Sequence, residues 1–186
     1  MSSVWQYLTL GLDREIFGID IESVHEILDY RAPAALPHAP PFLVGMIDVR
    51  GQSYPVIDLR TKLGLPTIPV TPATRIILLN IAMRDRALRV GFVADRVIEV
   101  TELDRAEMES APEVGGRWPS NYIAGIGRKG EAFVVVFNPE APLACDEPAL
   151  LEAPLAARQP GIDAMPPLND RPFHTFPDLH QARSGN

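Results

Sequence analysis

From Trp5 to Leu12 the chain alternates, with Leu8, Leu10 and Leu12 on one face, and this period of two predicts a half-buried strand. Asp13-Arg14-Glu15 supplies a polar turn and Ile16 to Ile21 a second strand, so the chain opens with a hairpin. Ile21, Val24, Ile27 and Leu28 then fall at helical spacing, which predicts a short amphipathic helix or a strand transition over Glu22 to Leu28. Pro33, Pro37, Pro40 and Pro41 break any regular element and mark an extended crossing segment. Two strands follow, Leu43 to Val49 and Tyr54 to Leu59, hinged at Arg50-Gly51-Gln52. Leu59 and Leu63 sit four apart with Gly64 placed to stop a single helical turn. Pro66, Pro69 and Pro72 make the next stretch a loop.

The second half repeats this style without a visible sequence repeat. Arg75 to Ile81 and Leu88 to Ala94 flank a turn around Arg84-Asp85, and Val97 to Val100 extends the pattern. Glu102 to Ala111 is polar enough for a short helical turn. Tyr122 to Ile126 and Ala132 to Phe137 form a last hairpin. Many short strands at regular spacing, with few helical turns, predict a mainly β protein of the small-barrel or sandwich kind. Beyond about Cys145 the character changes. Pro148, Pro154, Pro160, Pro166, Pro167, Pro172 and Pro177 oppose a packed core, so residues 146–186 are read as a Pro-rich, disordered C-terminal extension of a 1–145 domain. Phe173 and Phe176 are its only aromatic residues.

Composition narrows the function classes. The formal net charge of −7 argues against a nucleic-acid groove, which needs clustered Lys and Arg, and against docking on anionic lipid. The single cysteine, Cys145, excludes an internal disulfide and a multi-cysteine zinc site. No basic segment followed by an apolar stretch opens the chain, and no apolar run is long enough for a membrane helix. The expected location is the cytoplasm.

Candidate chemistry is sparse. Gly125-Ile-Gly127-Arg-Lys-Gly130 spells G-x-G-x-x-G, but a dinucleotide site needs that motif to open a helix, and the β-branched Ala132 to Phe137 predicts a strand. Arg128-Lys129-Gly130 therefore reads as a hairpin turn. His25, His38, His174 and His180 form no i, i+4 pair, and His25 beside Glu26 cannot share a substrate with it on a helix. Ser53, Ser110 and Ser120 lack a nucleophile-elbow setting. Asp20 with Glu22, or Asp58 with Asp95, would be carboxylate pairs, but each stands at a strand end where turn-capping acids are common. These residues support no catalytic, cofactor or metal site.

The most informative segment is Gly45-Met-Ile-Asp48-Val-Arg50-Gly51-Gln-Ser-Tyr-Pro55-Val-Ile-Asp58-Leu59-Arg60-Thr-Lys-Leu63-Gly64. Two apolar strands meet at an Arg-Gly corner, which suggests a tightly bent barrel corner with a protruding arginine. As a pattern it resembles the centre of CheW coupling proteins and the related regulatory domain of the chemotaxis histidine kinase. Tyr7 to Leu12 with Phe17-Gly-Ile-Asp20-Ile, Val24-His-Glu26-Ile27, Ile76 to Asn80, Val90 to Val97 and Tyr122 to Gly127 extend the likeness in order over residues 5 to 145.

The resemblance implies two five-stranded, SH3-like barrels packed together. It implies a non-catalytic scaffold that couples chemoreceptors (methyl-accepting chemotaxis proteins) to a CheA-type histidine kinase at membrane-anchored receptor arrays. Glu26 and Arg50 match the family's polar positions near the receptor groove, and Val24, Gly45, Gly51, Gly91 and Val100 match other contact positions. Asp48 stands where asparagine is usual, and Arg75 where an apolar β-branched residue is common. Glycines 45, 51 and 91 are expected to let a partner backbone approach, and Glu26 and Arg50 to pair across the groove mouth. Two alternatives stay open: the same scaffold in a pilus-motility or surface-sensing pathway, or a small-ligand barrel using Gly125–Gly130 as a cradle.

Overall fold

Three two-residue turns set the framework. The computed structural model describes residues 4–82, 87–110 and 120–144. Strand β1 (Val4–Leu12) turns through Asp13-Arg14 into β2 (Glu15–Asp20), with Asp13 at φ 57°. Strand β4 (Leu43–Val49) turns through Arg50-Gly51 into β5 (Gln52–Asp58). Strand β9 (Ile123–Lys129) turns through Gly130-Glu131 into β10 (Ala132–Phe137). Left-handed residues at such corners match the twist of the strands they join. The remaining strands are β3 (Val24–Asp29), β6 (Arg75–Ala82), β7 (Ala87–Ala94) and β8 (Arg96–Asp104). Among the described residues, two helical turns, α1 (Leu59–Lys62) and α2 (Ala141–Ala144), accompany 3-10 turns at Ile21–Ser23, Arg105–Glu107 and Ser120–Tyr122.

The strands form two five-stranded sheets, ordered β8-β1-β2-β10-β9 and β3-β6-β7-β5-β4. Each contains one parallel pair, β2 with β10 and β5 with β7, and is otherwise antiparallel. The first sheet joins the two ends of the domain and the second is built from its middle. In the first, Glu109 bridges Ile126 and Lys129 pairs with Glu99, drawing β9 towards β8. In the second, Ala34 bridges Met46 beside the edge strand β4. Each sheet thereby rolls into a small SH3-like barrel.

Three apolar clusters account for the packing. Tyr7, Leu103, Val134 and Val136 fill the first barrel, and Ile47, Tyr54, Val56, Ile76 and Leu78 fill the second. The largest cluster draws on both sheets, with Leu8, Leu10, Leu12, Phe17 and Ile19 from one and Ile57, Ile77, Leu79, Val90 and Phe92 from the other. It is the layer that holds the barrels together. Strand β1 serves both the barrel interior and this layer, so it is buried on both faces from Tyr7 onward and not half-buried as its alternation predicts.

Two further expectations change. Of the two readings of Glu22 to Leu28, the strand transition holds and the amphipathic helix does not: a 3-10 turn leads into strand β3, and a bulge between Val24 and Glu26 displaces the alternation by one residue. Val24 opposite Leu79 and Ile27 opposite Ile77 then face one side three residues apart, which imitates a helix. Strand β8 continues to Asp104, well past Val100, and only Arg105–Glu107 forms the polar turn. The single turn at α1 is as expected. Its end carries paired bonds from Leu65 N–H to the Arg60 carbonyl (2.8 Å) and from Gly64 N–H to that of Thr61 (3.1 Å), with Gly64 at φ 68°. The Arg84-Asp85 turn, Cys145, His174, His180, Phe173, Phe176 and the Pro-rich extension lie outside the described residues.

Candidate partner-binding site

The β4–β5 corner is a two-residue turn with φ 54° at Arg50 and 78° at Gly51. Positive φ at both central positions is the signature of a type I′ hairpin, which favours Asn-Gly and disfavours a long side chain at the first position. Asp48 closes the turn by accepting the Gly51 N–H at 3.1 Å. Arg50 Nη2 reaches Glu26 Oε1 at 3.1 Å, with the arginine side chain 77% exposed and the glutamate 26%. Glu26 lies on β3 and Arg50 follows β4, the two edges of the second sheet, so the pair spans the seam of that barrel. Arg31 donates to the Asp48 carbonyl across the same seam. Beside it, a depression of about 310 Å³ is lined by Leu28, Asp29, Arg31, Asp48, Val49 and Arg50.

The opposite face of β3 carries Val24 and Ile27, with Asp29 at its end. Val24 is half-buried against the inter-barrel layer, and Ile27 beside Glu26 is 40% exposed. On the first barrel Val100, opposite Leu8, is 49% exposed, and Ile98 is 39% exposed. Opposed residues share a face of a sheet. Ile27 and Val100 therefore carry the inter-barrel layer out to solvent from the edge strand of each sheet. Sequence reasoning did not single out Ile27, because helical spacing left a helix and a strand transition equally open there; strand alternation after the bulge is the signal that exposes it.

The remaining expected positions do not converge on this corner. Gly45 and Gly91 are buried. A Cβ on Gly45 would lie 2.2 Å from the Ala34 carbonyl oxygen, and one on Gly91 would lie 3.0 Å from an Ile76 methyl. The close approach these glycines permit is made by the chain itself. Gly51, in contrast, is exposed, with nothing within 4 Å of a Cβ. Arg75 is held at the surface by its own neighbours: its Nη1 donates to the Pro72 and Thr74 carbonyls at 2.7 and 2.9 Å, and its Nε lies 3.5 Å from Asp29.

The carboxylates considered for acid–base chemistry are committed elsewhere. Asp20 accepts the Glu22 N–H at 3.0 Å and pairs with Arg105 at 3.1 Å. Asp58 caps α1, accepting the Arg60 N–H at 3.0 Å and the Thr61 hydroxyl at 2.7 Å. Asp95 binds Arg60 through both oxygens, from Nε at 2.7 Å and Nη2 at 2.8 Å. Gly125 and Gly127 stand within β9, with Met108 and Leu103 packed against them, and a strand follows Gly130. That arrangement lacks the helix N-terminus a phosphate cradle requires. Among the described residues no helix is long and apolar enough to cross a membrane.

Residues 6–146 match the model of the CheW-like domain. The chain belongs to this family. It is 32% identical to the chemotaxis protein CheW of Klebsiella aerogenes over 79% of this chain and 86% of that one. It is 39% identical to CheW of Bacillus subtilis over 52% of this chain and 60% of that one. The crystal structure of the scaffolding protein TtCheW from Thermoanaerobacter tengcongensis superposes with a TM-score of 0.66 at 27% identity, covering 73% of this chain and 84% of that one. Within this CheW-like domain, Asp48 Oδ1 closes the turn in the way an asparagine oxygen could. The Arg75 guanidinium is spent on its own loop.

Proposed function

We propose that this CheW-like chain is a non-catalytic coupling adaptor of chemotaxis signal transduction. It binds the cytoplasmic hairpin tip of a chemoreceptor and the regulatory domain of a CheA-type histidine kinase, at the cytoplasmic side of membrane-anchored arrays. Family membership supports the role, and the Glu26–Arg50 corner supports the place.

One observation carries the assignment. A long, charged side chain occupies a left-handed turn position, where an L residue with a bulky side chain costs about 1–2 kcal/mol. Its ion pair, largely exposed, returns only about 0–1 kcal/mol. Arg50 is therefore a poor choice for stability, and recognition is the account that fits. A receptor helix would seat on the apolar edge at Val24 and Ile27, with Glu26 and Arg50 selecting register and Val100 contributing from the other barrel. Kinase control is then geometric: a change in receptor state biases the kinase through the adaptor, with no phosphoryl step on this chain.

Arg50→Glu tests the reading. It places two acids at the seam, and kinase coupling should fall while the melting temperature stays close to wild type. Unfolding of the variant, or undiminished coupling, would contradict it.

A further inference from the structure

Within the described residues the backbone passes between the barrels twice, from β2 to β3 through Ile21–Ser23 and from β7 to β8 through Asp95 alone. A one-residue connector is a natural pivot, yet here its carboxylate accepts three hydrogen bonds. Asp95 Oδ1 accepts from Arg60 Nε at 2.7 Å, and Oδ2 accepts from Arg60 Nη2 at 2.8 Å and from the Asp13 N–H at 2.8 Å. Arg60 belongs to α1 of the second barrel and Asp13 to the β1–β2 turn of the first. Arg60 is 6% exposed, and its Nη1 donates to the Pro66 carbonyl at 2.6 Å while Asp13 Oδ1 stands 3.6 Å from Nη2. Arg96, the next residue, lies over Gly11 and adds positive charge beside the knot.

We infer that Arg60, Asp95 and Asp13 form a rigid joint that sets the angle between the two barrels, and that receptor control of the kinase passes through this angle. The inference rests on the adaptor reading for its second half. The fork of a guanidinium against both oxygens of a carboxylate fixes direction as well as distance, which a single ammonium cannot do. Burial deepens the effect, because a loosened Arg60 would leave a charge without a partner away from water. These three are positioning residues: none is placed at the Glu26–Arg50 corner, and they act by holding one barrel against the other. A receptor tip seated between edge strands of both barrels meets correctly spaced walls only while the joint holds.

The test uses the full chain in a Cys145→Ser background, with spin labels at the exposed positions Ser53 of the second barrel and Ala132 of the first. Pulsed electron paramagnetic resonance gives the distance distribution between barrels without any partner. Arg60→Lys should broaden or shift this distribution, and in a receptor–kinase mixture should lose most receptor control while the complex still co-sediments. Should Arg60→Lys fail to fold, Asp95→Asn, which keeps one acceptor oxygen, serves in its place. A distribution as narrow as the parent's overturns the joint. A broadened distribution with intact receptor control overturns its part in signalling. Absence of any complex with the parent protein counts against the adaptor reading, and the distance measurement then decides the joint by itself.

Discussion

Arg50 donates to Glu26 across 3.1 Å, and the bond joins the two edge strands of one barrel at a corner where the arginine backbone is left-handed. Recognition and stability can be separated at this residue. Arg50→Asn suits the turn better than arginine does and removes the charge. The relief of about 1–2 kcal/mol exceeds the exposed pair it sacrifices. For a chain of this size each kcal/mol moves the melting temperature by about 2–4 °C. Calorimetry should find the variant as stable as wild type or slightly more so, whereas coupling to the kinase should drop. A clear fall in melting temperature would make Arg50 a structural residue.

Gly45 and Gly51 both have positive φ, 152° and 78°, and differ in the space around them. Gly45→Ala drives a methyl group onto the Ala34 carbonyl, an overpacking that costs about 1–3 kcal/mol in ordinary cores and more at so short a distance. Gly51→Ala meets open space and bears only the left-handed penalty, about 1–2 kcal/mol. Denaturant titration should rank Gly45→Ala as the more destabilised. The reverse order would mean that the strand carrying Gly45 can move away from Ala34.

The strands were legible in the sequence to the extent that period two survived. Strands β4, β5, β6, β7 and β10 lie close to where alternation and turn residues put them. The period failed at β3, where a bulge turned strand spacing into helical spacing. It also misled at β1, whose second face is hidden by the barrel interior. Assignment of strands to sheets was not legible, since β1 meets β8 and β2 meets β10 across most of the chain. The Glu26–Arg50 corner was reached through family resemblance. The Arg60–Asp95 pair, 35 residues apart, leaves no local trace, because an ion pair imposes no spacing on the residues between its partners.

Acid should weaken the joint. Burial alone would raise the pKa of Asp95, but the hydrogen bonds from Arg60 and the Asp13 N–H, with the nearby positive charge of Arg60 and Arg96, outweigh it and hold the carboxyl below its ordinary value. Arg60 is raised in turn, chiefly by its bond to Asp95. A depressed carboxylate contributes stability that is complete above its unfolded pKa, about 4, and is lost as pH falls through the folded value. Urea midpoints for wild type should therefore decline below about pH 4. The decline should be shallower in Asp95→Asn, which starts less stable at neutral pH. Parallel curves would remove Asp95 from the account.

The domain boundary gives a further expectation. The family match ends at residue 146. A chain ending at residue 145 should keep the melting temperature and kinase coupling of the full chain in the same assay. Loss of coupling on truncation would assign residues 146–186 a part in the complex.

The adaptor claim itself rests on one reconstitution. Receptor cytoplasmic tips and a cognate CheA-type kinase are mixed with and without this protein, sedimented, and assayed for kinase activity in the pellet. The account predicts that this chain enters the pellet with both partners and brings the kinase under receptor control. A cognate pair that assembles and is regulated equally well without it, or that leaves it in the supernatant, would contradict the account.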